Sequence, residues 1–316
     1  MSSKILITGG AGFIGSNLVD YLNSHSPDWE IHVLDDLSAG LSSNLDGSHC
    51  NLVVGSVLDS KLLVEIAAGV DHIVHLAAIG SVPRSISSPR PTHEANITGT
   101  FNVLEASRQN SVGHVIVASS SSVYGSNPKL PRSEFDWTRP LSPYAVSKLA
   151  TEAYANAYAS SYGMKTTAFR LFNVFGPKQR SDHPYAAVIP KFVSAALSDL
   201  PLTIHGNGTQ TRDFTFVESV CDAIHTTISQ KLHFEHPLNL AFGSRVSLLE
   251  VVEKLEILLG KQLEVEHTET RAGDVTASQA ETSLLNEVLP SVSSFDFEAG
   301  LQKTIEWFQS DSRAHR

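Results

Sequence analysis

The sequence predicts an α/β fold: a doubly wound parallel sheet followed by a smaller C-terminal lobe. Three observations predict it. Over the first two-thirds of the chain, short apolar runs alternate with longer amphipathic segments, the pattern of strands joined by crossover helices. A glycine-rich turn stands between the first apolar run and the first amphipathic segment. After about residue 173 the segments shorten and turn signals cluster, in Gly176-Pro177, Asn207-Gly208 and Ala272-Gly273-Asp274.

In order, strands are expected at residues 5–8, 31–35, 52–55, 72–77, 115–119 and 166–171. Helices are expected at 13–24, 61–68, 91–109 and 143–162, the last with Ser142 as a cap and Pro143 in its first turn. Right-handed crossovers then wind helices onto both faces of the sheet and open a site at the carboxyl ends of the strands. In the later part, 247–260 reads as a helix with a serine start and a glycine stop, and 238–241 is a candidate to return to the sheet. The division expected is a dinucleotide-binding domain over 1–173, joined by about 213–242, and a substrate-binding lobe of 174–212 and 243–316.

A chain of 316 residues, 41% hydrophobic, is long enough for a large core. Its net charge of −10 argues against nucleic acid as the main partner, which needs a positive field. Two cysteines, Cys50 and Cys221, make no disulfide framework, so an intracellular, cytoplasmic protein is expected. No window approaches the ~18 apolar residues of a membrane span. No metal site is expected: the 14 histidines form no His-Glu-x-x-His, and neither cysteine has ligands at zinc spacing.

Thr8-Gly9-Gly10-Ala11-Gly12-Phe13-Ile14-Gly15 follows the first strand and opens the first helix. Gly9, Gly12 and Gly15 allow a tight turn and close backbone approach to a pyrophosphate, which the helix N-terminus then attracts. Asp35 ends the second strand, 20 residues after Gly15. A carboxylate there accepts hydrogen bonds from an adenosine ribose and repels a 2′-phosphate, which favours NAD over NADP.

Tyr144 and Lys148 stand four residues apart and share one helical face. A free phenol has a pKa near ~10 and is a poor base at neutral pH. A cation one turn away favours the phenolate, so Lys148 is expected to lower the Tyr144 pKa. The spacing alone also describes an exposed helical pair. The glycine loop and the serine run Ser119-Ser120-Ser121-Ser122, about 25 residues upstream, decide for a redox site.

These elements, in this order, resemble the extended short-chain dehydrogenase/reductase family, which carries them on a Rossmann domain. The resemblance extends to His75-Leu76-Ala77-Ala78, Asn96-Ile97-Thr98-Gly99-Thr100, Arg170-Leu171-Phe172-Asn173-Val174-Phe175-Gly176, Thr211-Arg212-Asp213-Phe214 and Arg271-Ala272-Gly273-Asp274-Val275. Within the family the chain looks most like nucleotide-sugar 4-epimerases. The resemblance implies Tyr144 as the base, Lys148 as its support and nicotinamide-ribose ligand, and Ser120 as the assisting serine, with Ser119 and Ser121 as rivals. It implies Phe13, Ile14, Asp36, Leu76, Ala77 and Asn96 around the NAD. Asn173, Arg212, Arg271 and Asp274 would hold the nucleotide sugar, and arginine forks suit its diphosphate. Ser56 departs from the family's usual aspartate, which leaves the adenine contact there in doubt.

Sugar-nucleotide dehydratases carry an Asp–Glu pair after the catalytic hydroxyl. Here Ser121 and Ser122 stand there and cannot do that proton transfer. Ser278 falls where these epimerases place a residue beside the sugar, and a serine leaves room for an N-acetyl group. The segments 80–85, with Ser81 and Arg84, and 185–191, with Val188, resemble epimerases of UDP-N-acetylhexosamines. UDP-N-acetylglucosamine is therefore the expected substrate, with UDP-glucose and UDP-glucuronate as alternatives; Arg84 and Arg180 keep the uronate open. A net NAD-dependent dehydrogenase and a catalytically silent NAD-binding sensor are the rival classes. A homodimer through a four-helix interface of segments 91–109 and 143–162 is what the resemblance implies.

Overall fold

The computed structural model describes residues 3–182, 185–269 and 277–310. Its centre is a sheet of seven strands, every pair of which is parallel. The strands are β1 (Lys4–Thr8), β2 (Glu30–Asp35), β3 (Asn51–Val54), β4 (His72–His75), β5 (His114–Ser120), β6 (Thr166–Leu171) and β7 (Leu238–Leu240). Their spatial order is 3-2-1-4-5-6-7. Segment 238–241 does return to the sheet, pairing Leu238 with Phe169.

Alternation within the strands explains why both faces are covered. In β1, Ile5 and Ile7 enter one apolar cluster and Leu6 enters another, and all three are fully buried. Val33 and Leu34 divide in the same way, as do Val74 and Ile73. The first cluster is closed by α1 (Phe13–His25), through Leu18, Val19 and Leu22. The second is closed by α2 (Ser60–Ile66), through Leu63, and by two longer helices described next.

The helix expected at 91–109 starts earlier and is not regular. After the short α3 (Val82–Ser87), it runs as α4 (Pro89–His93), a π turn (Glu94–Thr98) and α5 (Gly99–Gln109). The helix α6 (Pro143–Tyr162) has the expected bounds, with the Ser142 hydroxyl accepting from Ala145 N at 3.1 Å and Gly163 stopping it at φ +66°. Strand β4 stops two residues early, because Leu76 and Ala77 leave the sheet to flank the glycine loop.

The remainder comprises α7 (Val188–Leu197), α8 (Val217–Ser229), α9 (Leu248–Leu259), α10 (Ser283–Val288) and α11 (Phe297–Ser310), with short two-stranded pairs between them. The α9 start at Ser247 and its stop at Gly260, φ +65°, are those the sequence expects, and Ser247 forms a capping box with Glu250. Among the described residues no helix is long and apolar enough to cross a membrane.

Candidate active site

The sheet order reverses between β1 and β4, and the glycine loop lies in that crevice. A side chain at Gly15 would place its Cβ 2.3 Å from Gly9 O, and one at Gly9, φ +73°, would meet Ala77 N at 2.6 Å. Gly12 caps α1 without a side-chain bond, so the first amides of the helix face the loop. The Asp35 carboxylate braces this turn: Oδ2 accepts from Ala11 N at 3.0 Å and Oδ1 from Leu37 N at 2.8 Å. Burial raises its pKa, and these amide bonds oppose the rise. Each oxygen keeps a lone pair for a ribose hydroxyl. A backbone cradle with no room for a Cβ, a helix N-terminus and an acceptor beside it fit a dinucleotide.

The other residues expected here differ in what they offer. Phe13 and Ile14 sit half-buried in the first turn of α1, and Leu76 and Ala77 are half-buried opposite Gly9. Asp36 is exposed and turned onto Ser38, accepting from its N at 2.9 Å and its Oγ at 2.6 Å. Asn96 is buried in the π turn. Its amide donates to Ile79 O at 3.2 Å and Ser147 Oγ at 2.9 Å, and its oxygen accepts from Ile79 N at 2.7 Å. Its side chain therefore joins the turn after β4 to α6.

Helix α6 presents Tyr144 and Lys148 to the end of β5. Tyr144 N donates to Ser85 Oγ at 3.1 Å, which fixes the start of the helix. Lys148 is buried and donates to Ala118 O at 2.8 Å, leaving two of its three N–H groups. Burial pulls its pKa down to about 8, opposed by Glu152. Burial works against the phenolate of Tyr144 as well. Desolvation raises the phenol, and the opposing influence is a hydrogen bond with the Ser120 side chain. Of the rival serines, Ser119 faces away, its hydroxyl donating to Glu152, and Ser121 lines the adjoining cavity.

Glu152 lies one further turn along the face of Tyr144 and Lys148, and the sequence reading passed over it. Both its oxygens accept from Arg170, at 2.9 Å each, and both residues are buried. Arg170 also donates to Tyr124 Oη at 2.9 Å, and Tyr124 donates to Asn239 Oδ1 at 2.6 Å. This network joins α6 to β6 and β7 behind the tyrosine. The i, i+8 helical spacing was the signal available for it.

In front of Tyr144 opens a cavity of about 490 Å³. Ser120, Tyr144, Asn173, Val188, Arg212 and Ser278 line it together. Ser278 N donates to Thr211 O at 3.1 Å, which holds it beside the Arg212 strand, and Asn173 donates to Asp213 O at 3.0 Å. Asp213 ties the surrounding loops, accepting from Gly243 N, Ser244 N and Ala280 N at 2.9–3.1 Å. Three expected residues are not brought to the cavity. Ser81 spends its hydroxyl capping α3, accepting from Arg84 N at 3.2 Å, and Arg84 is exposed at the end of that short helix. Arg180 forks onto Asp182 at 2.8 Å. Arg271 and Asp274 lie outside the described residues. The cavity wall also includes Ser122, Arg132 and Gln179, to which the sequence reading gave no role.

Comparison with known proteins agrees with this geometry. The model of the NAD dependent epimerase/dehydratase family matches residues 5–241. A UDP-glucose 4-epimerase of Mycolicibacterium smegmatis is 34% identical, over 98% of this chain and 100% of its own length. The UDP-N-acetylglucosamine 4-epimerase of Methanobrevibacter ruminantium, solved with UDP-N-acetylmuramic acid, superposes with a TM-score of 0.92 at 35% identity, covering 98% of this chain and 99% of its own. The UDP-glucuronic acid 4-epimerase of Bacillus cereus, solved with UDP-glucuronic acid and NAD, gives 0.88 at 29% identity over 97% and 99%. With its glycine cradle at the switch point and a Tyr144–Lys148 helix beside it, the chain belongs to the NAD dependent epimerase/dehydratase family and is related throughout its length to the UDP-sugar 4-epimerases.

Proposed function

We propose that this protein interconverts UDP-N-acetylglucosamine and UDP-N-acetylgalactosamine by inversion at C4. The observation that carries the reading is a single cavity with Tyr144 and Ser120 in one wall and the small Ser278 in another, beside Arg212. The two residues after Ser120 are serines rather than an acid pair, which supports epimerisation over dehydration.

In this reading bound NAD, held by Gly9, Gly12, Gly15 and Asp35, supplies the hydride acceptor and donor at sugar C4. Tyr144 takes the proton of the 4-hydroxyl, and Ser120 hydrogen-bonds the same oxygen. The two free N–H groups of Lys148 hold the nicotinamide ribose. Asn173 and Arg212 keep the nucleotide in place while the 4-keto sugar turns over in the cavity. Tyr144 then returns its proton to the opposite epimer. Residues 1–173 with about 213–242 serve as the cofactor domain, and the later segments serve as the substrate lobe. The protein works inside the cell as a homodimer through α5 and α6, where Phe101 and Tyr154 stand partly exposed with ring centroids 6.0 Å apart; monomeric behaviour in light scattering would refute the dimer.

The test is separate incubation with UDP-N-acetylglucosamine, UDP-glucose and UDP-glucuronate, with product epimers resolved by NMR. The acetamido sugar is expected to invert fastest. A preference for UDP-glucose would overturn the substrate assignment, since size filters asymmetrically and a roomy pocket also admits the smaller sugar. Failure to invert any of them would overturn the reaction.

A further inference from the structure

Glu152 is 2% exposed and lies on the face of α6 that carries Tyr144 and Lys148. Two residues of the sheet reach it. Ser119 of β5 and Arg170 of β6 are register partners, and both donate to this one carboxylate. The Ser119 hydroxyl also lies 3.4 Å from Lys148 O. Ser119 and Ser120 are neighbours in a strand, so their side chains point to opposite sides. The bond that turns Ser119 onto Glu152 therefore leaves Ser120 turned to Tyr144. Among the described residues no carboxylate hydrogen-bonds Lys148 Nζ, whose acceptor is Ala118 O at 2.8 Å.

We propose that Glu152 is a positioning residue for the reaction: its carboxylate is the counter-ion of the Lys148 ammonium one turn away, and through Ser119 it sets the serine strand against α6. The inference rests on the epimerase reading above and gives a part in it to a residue outside the cavity wall. Its first support is what surrounds the ammonium. His75 faces Lys148 from β4 and is neutral, its pKa held at about 3 by burial and by Lys148 itself. Tyr144 stands one turn before it on α6. Arg170, from β6, turns its remaining donors to Tyr124 Oη and Glu134 O. Burial pulls the Lys148 pKa down, and Glu152 is the charge that opposes it. A buried ammonium without a counter-charge gives up its proton. The neutral amine is a weaker donor to a ribose and no longer favours the phenolate. The second support is placement. Kept for stability alone, a buried ion pair gains little, since apolar residues of similar volume often do as well. This pair stands where its carboxylate also takes the Ser119 hydroxyl, in the residue before Ser120.

The experiment compares the wild type with Glu152→Gln/Arg170→Met, Arg170→Met and Glu152→Asp. The double variant removes both charges together, which a buried pair often tolerates, and keeps an amide oxygen for Ser119. Arg170→Met breaks the same pair but keeps the carboxylate. The titration of Lys148 is followed by NMR on isotope-labelled lysine, with Lys148→Arg to assign the signal, and kcat for C4 inversion is measured across pH. Lys148 should titrate about one pH unit lower in the double variant and higher in Arg170→Met. The ratio of wild-type to double-variant kcat should be near one at about pH 6 and grow to about 5-fold at about pH 8. Glu152→Asp keeps the charge but withdraws it by one methylene, so its Lys148 should titrate between wild type and double variant, and it decides alone if the others do not fold. A pair with a structural part only would act alike in both Arg170 variants and equally at every pH. Either of those results, or a Lys148 titration unmoved by the loss of Glu152, would overturn the proposal. The titration needs no sugar, so a wild type that inverts none sinks the epimerase reading and still leaves the tie between Glu152 and Lys148 decided.

Discussion

Acid should weaken this fold through histidines that have no part in the chemistry. His114 begins β5, at the end of the sheet opposite Tyr144; it is 3% exposed, and its Nε2 lies 3.0 Å from Thr167 Oγ1. Burial pushes its pKa from 6.5 down to about 3, with His72 and His233 adding to the push. The unfolded chain thus takes up this proton near 6.5 and the folded chain only near 3, so stability is lost as pH falls below 6.5 and the loss levels off below about 3. Near pH 5 the unfolded state has gained about 1.5 pH units of proton uptake, or about 2 kcal/mol from this one ring. His75, buried between Thr8 and Thr100 with a pKa also about 3, should cost a similar amount. Together that is about 4 kcal/mol near pH 5, a large share of a domain stability of roughly 5–15 kcal/mol. Buried Asp35, Glu134 and Asp213 work in the other sense: their raised carboxyl pKa values make the folded chain take protons first. The single variant His114→Asn separates the two influences, because the carboxylates cancel in the comparison and the amide can still reach Thr167. Urea unfolding of both proteins at about pH 7 and about pH 5 should show the variant losing about 2 kcal/mol less than the wild type. An identical loss in the two proteins would refute the assignment of that acid sensitivity to His114.

Three further outcomes are expected. Tyr144→Phe should abolish C4 inversion while NAD remains bound, as read by the cofactor content of the purified protein; full activity would remove the tyrosine from the mechanism. Gly15→Ala puts a Cβ 2.3 Å from Gly9 O and 2.6 Å from Gly10 Cα, both backbone, so the loop must shift and NAD binding by calorimetry should collapse while the fold persists in circular dichroism. Glu152→Ala leaves the Arg170 guanidinium buried with its main counter-ion gone, which should cost about 3–5 kcal/mol in chemical denaturation, and a loss below about 1 kcal/mol would show that the network is not needed.

What could be read from the sequence divides along a physical line. The sheet, the glycine cradle and the Tyr144–Lys148 pair depend on local rules: apolar alternation, the sterics of a turn, and the spacing of a helix. Each signal lies within a few residues of the feature it specifies. The Ser142 cap and the Ser247 start are of the same kind, and both helices start there. Ser81 carries a hydroxyl that suits both a sugar and a helix cap, and in α3 it serves as the cap. The π turn around Asn96 was missed because a five-residue excursion leaves the apolar pattern of the helix nearly intact.

Arg132 belongs to another class. Nothing nearby marks it: it follows a proline in a polar loop between β5 and α6 and looks like any surface arginine. It faces the cavity because its backbone is gripped by Gln279, Glu281 and Asn239, residues that come together only after the later lobe closes onto the end of the sheet. Burial acts on the catalytic pair as well: it raises the Tyr144 pKa and pulls that of Lys148 down to about 8, which still leaves the ammonium mostly charged near pH 7. Neither effect is legible from the four-residue spacing, because both depend on how completely the later segments cover the end of α6.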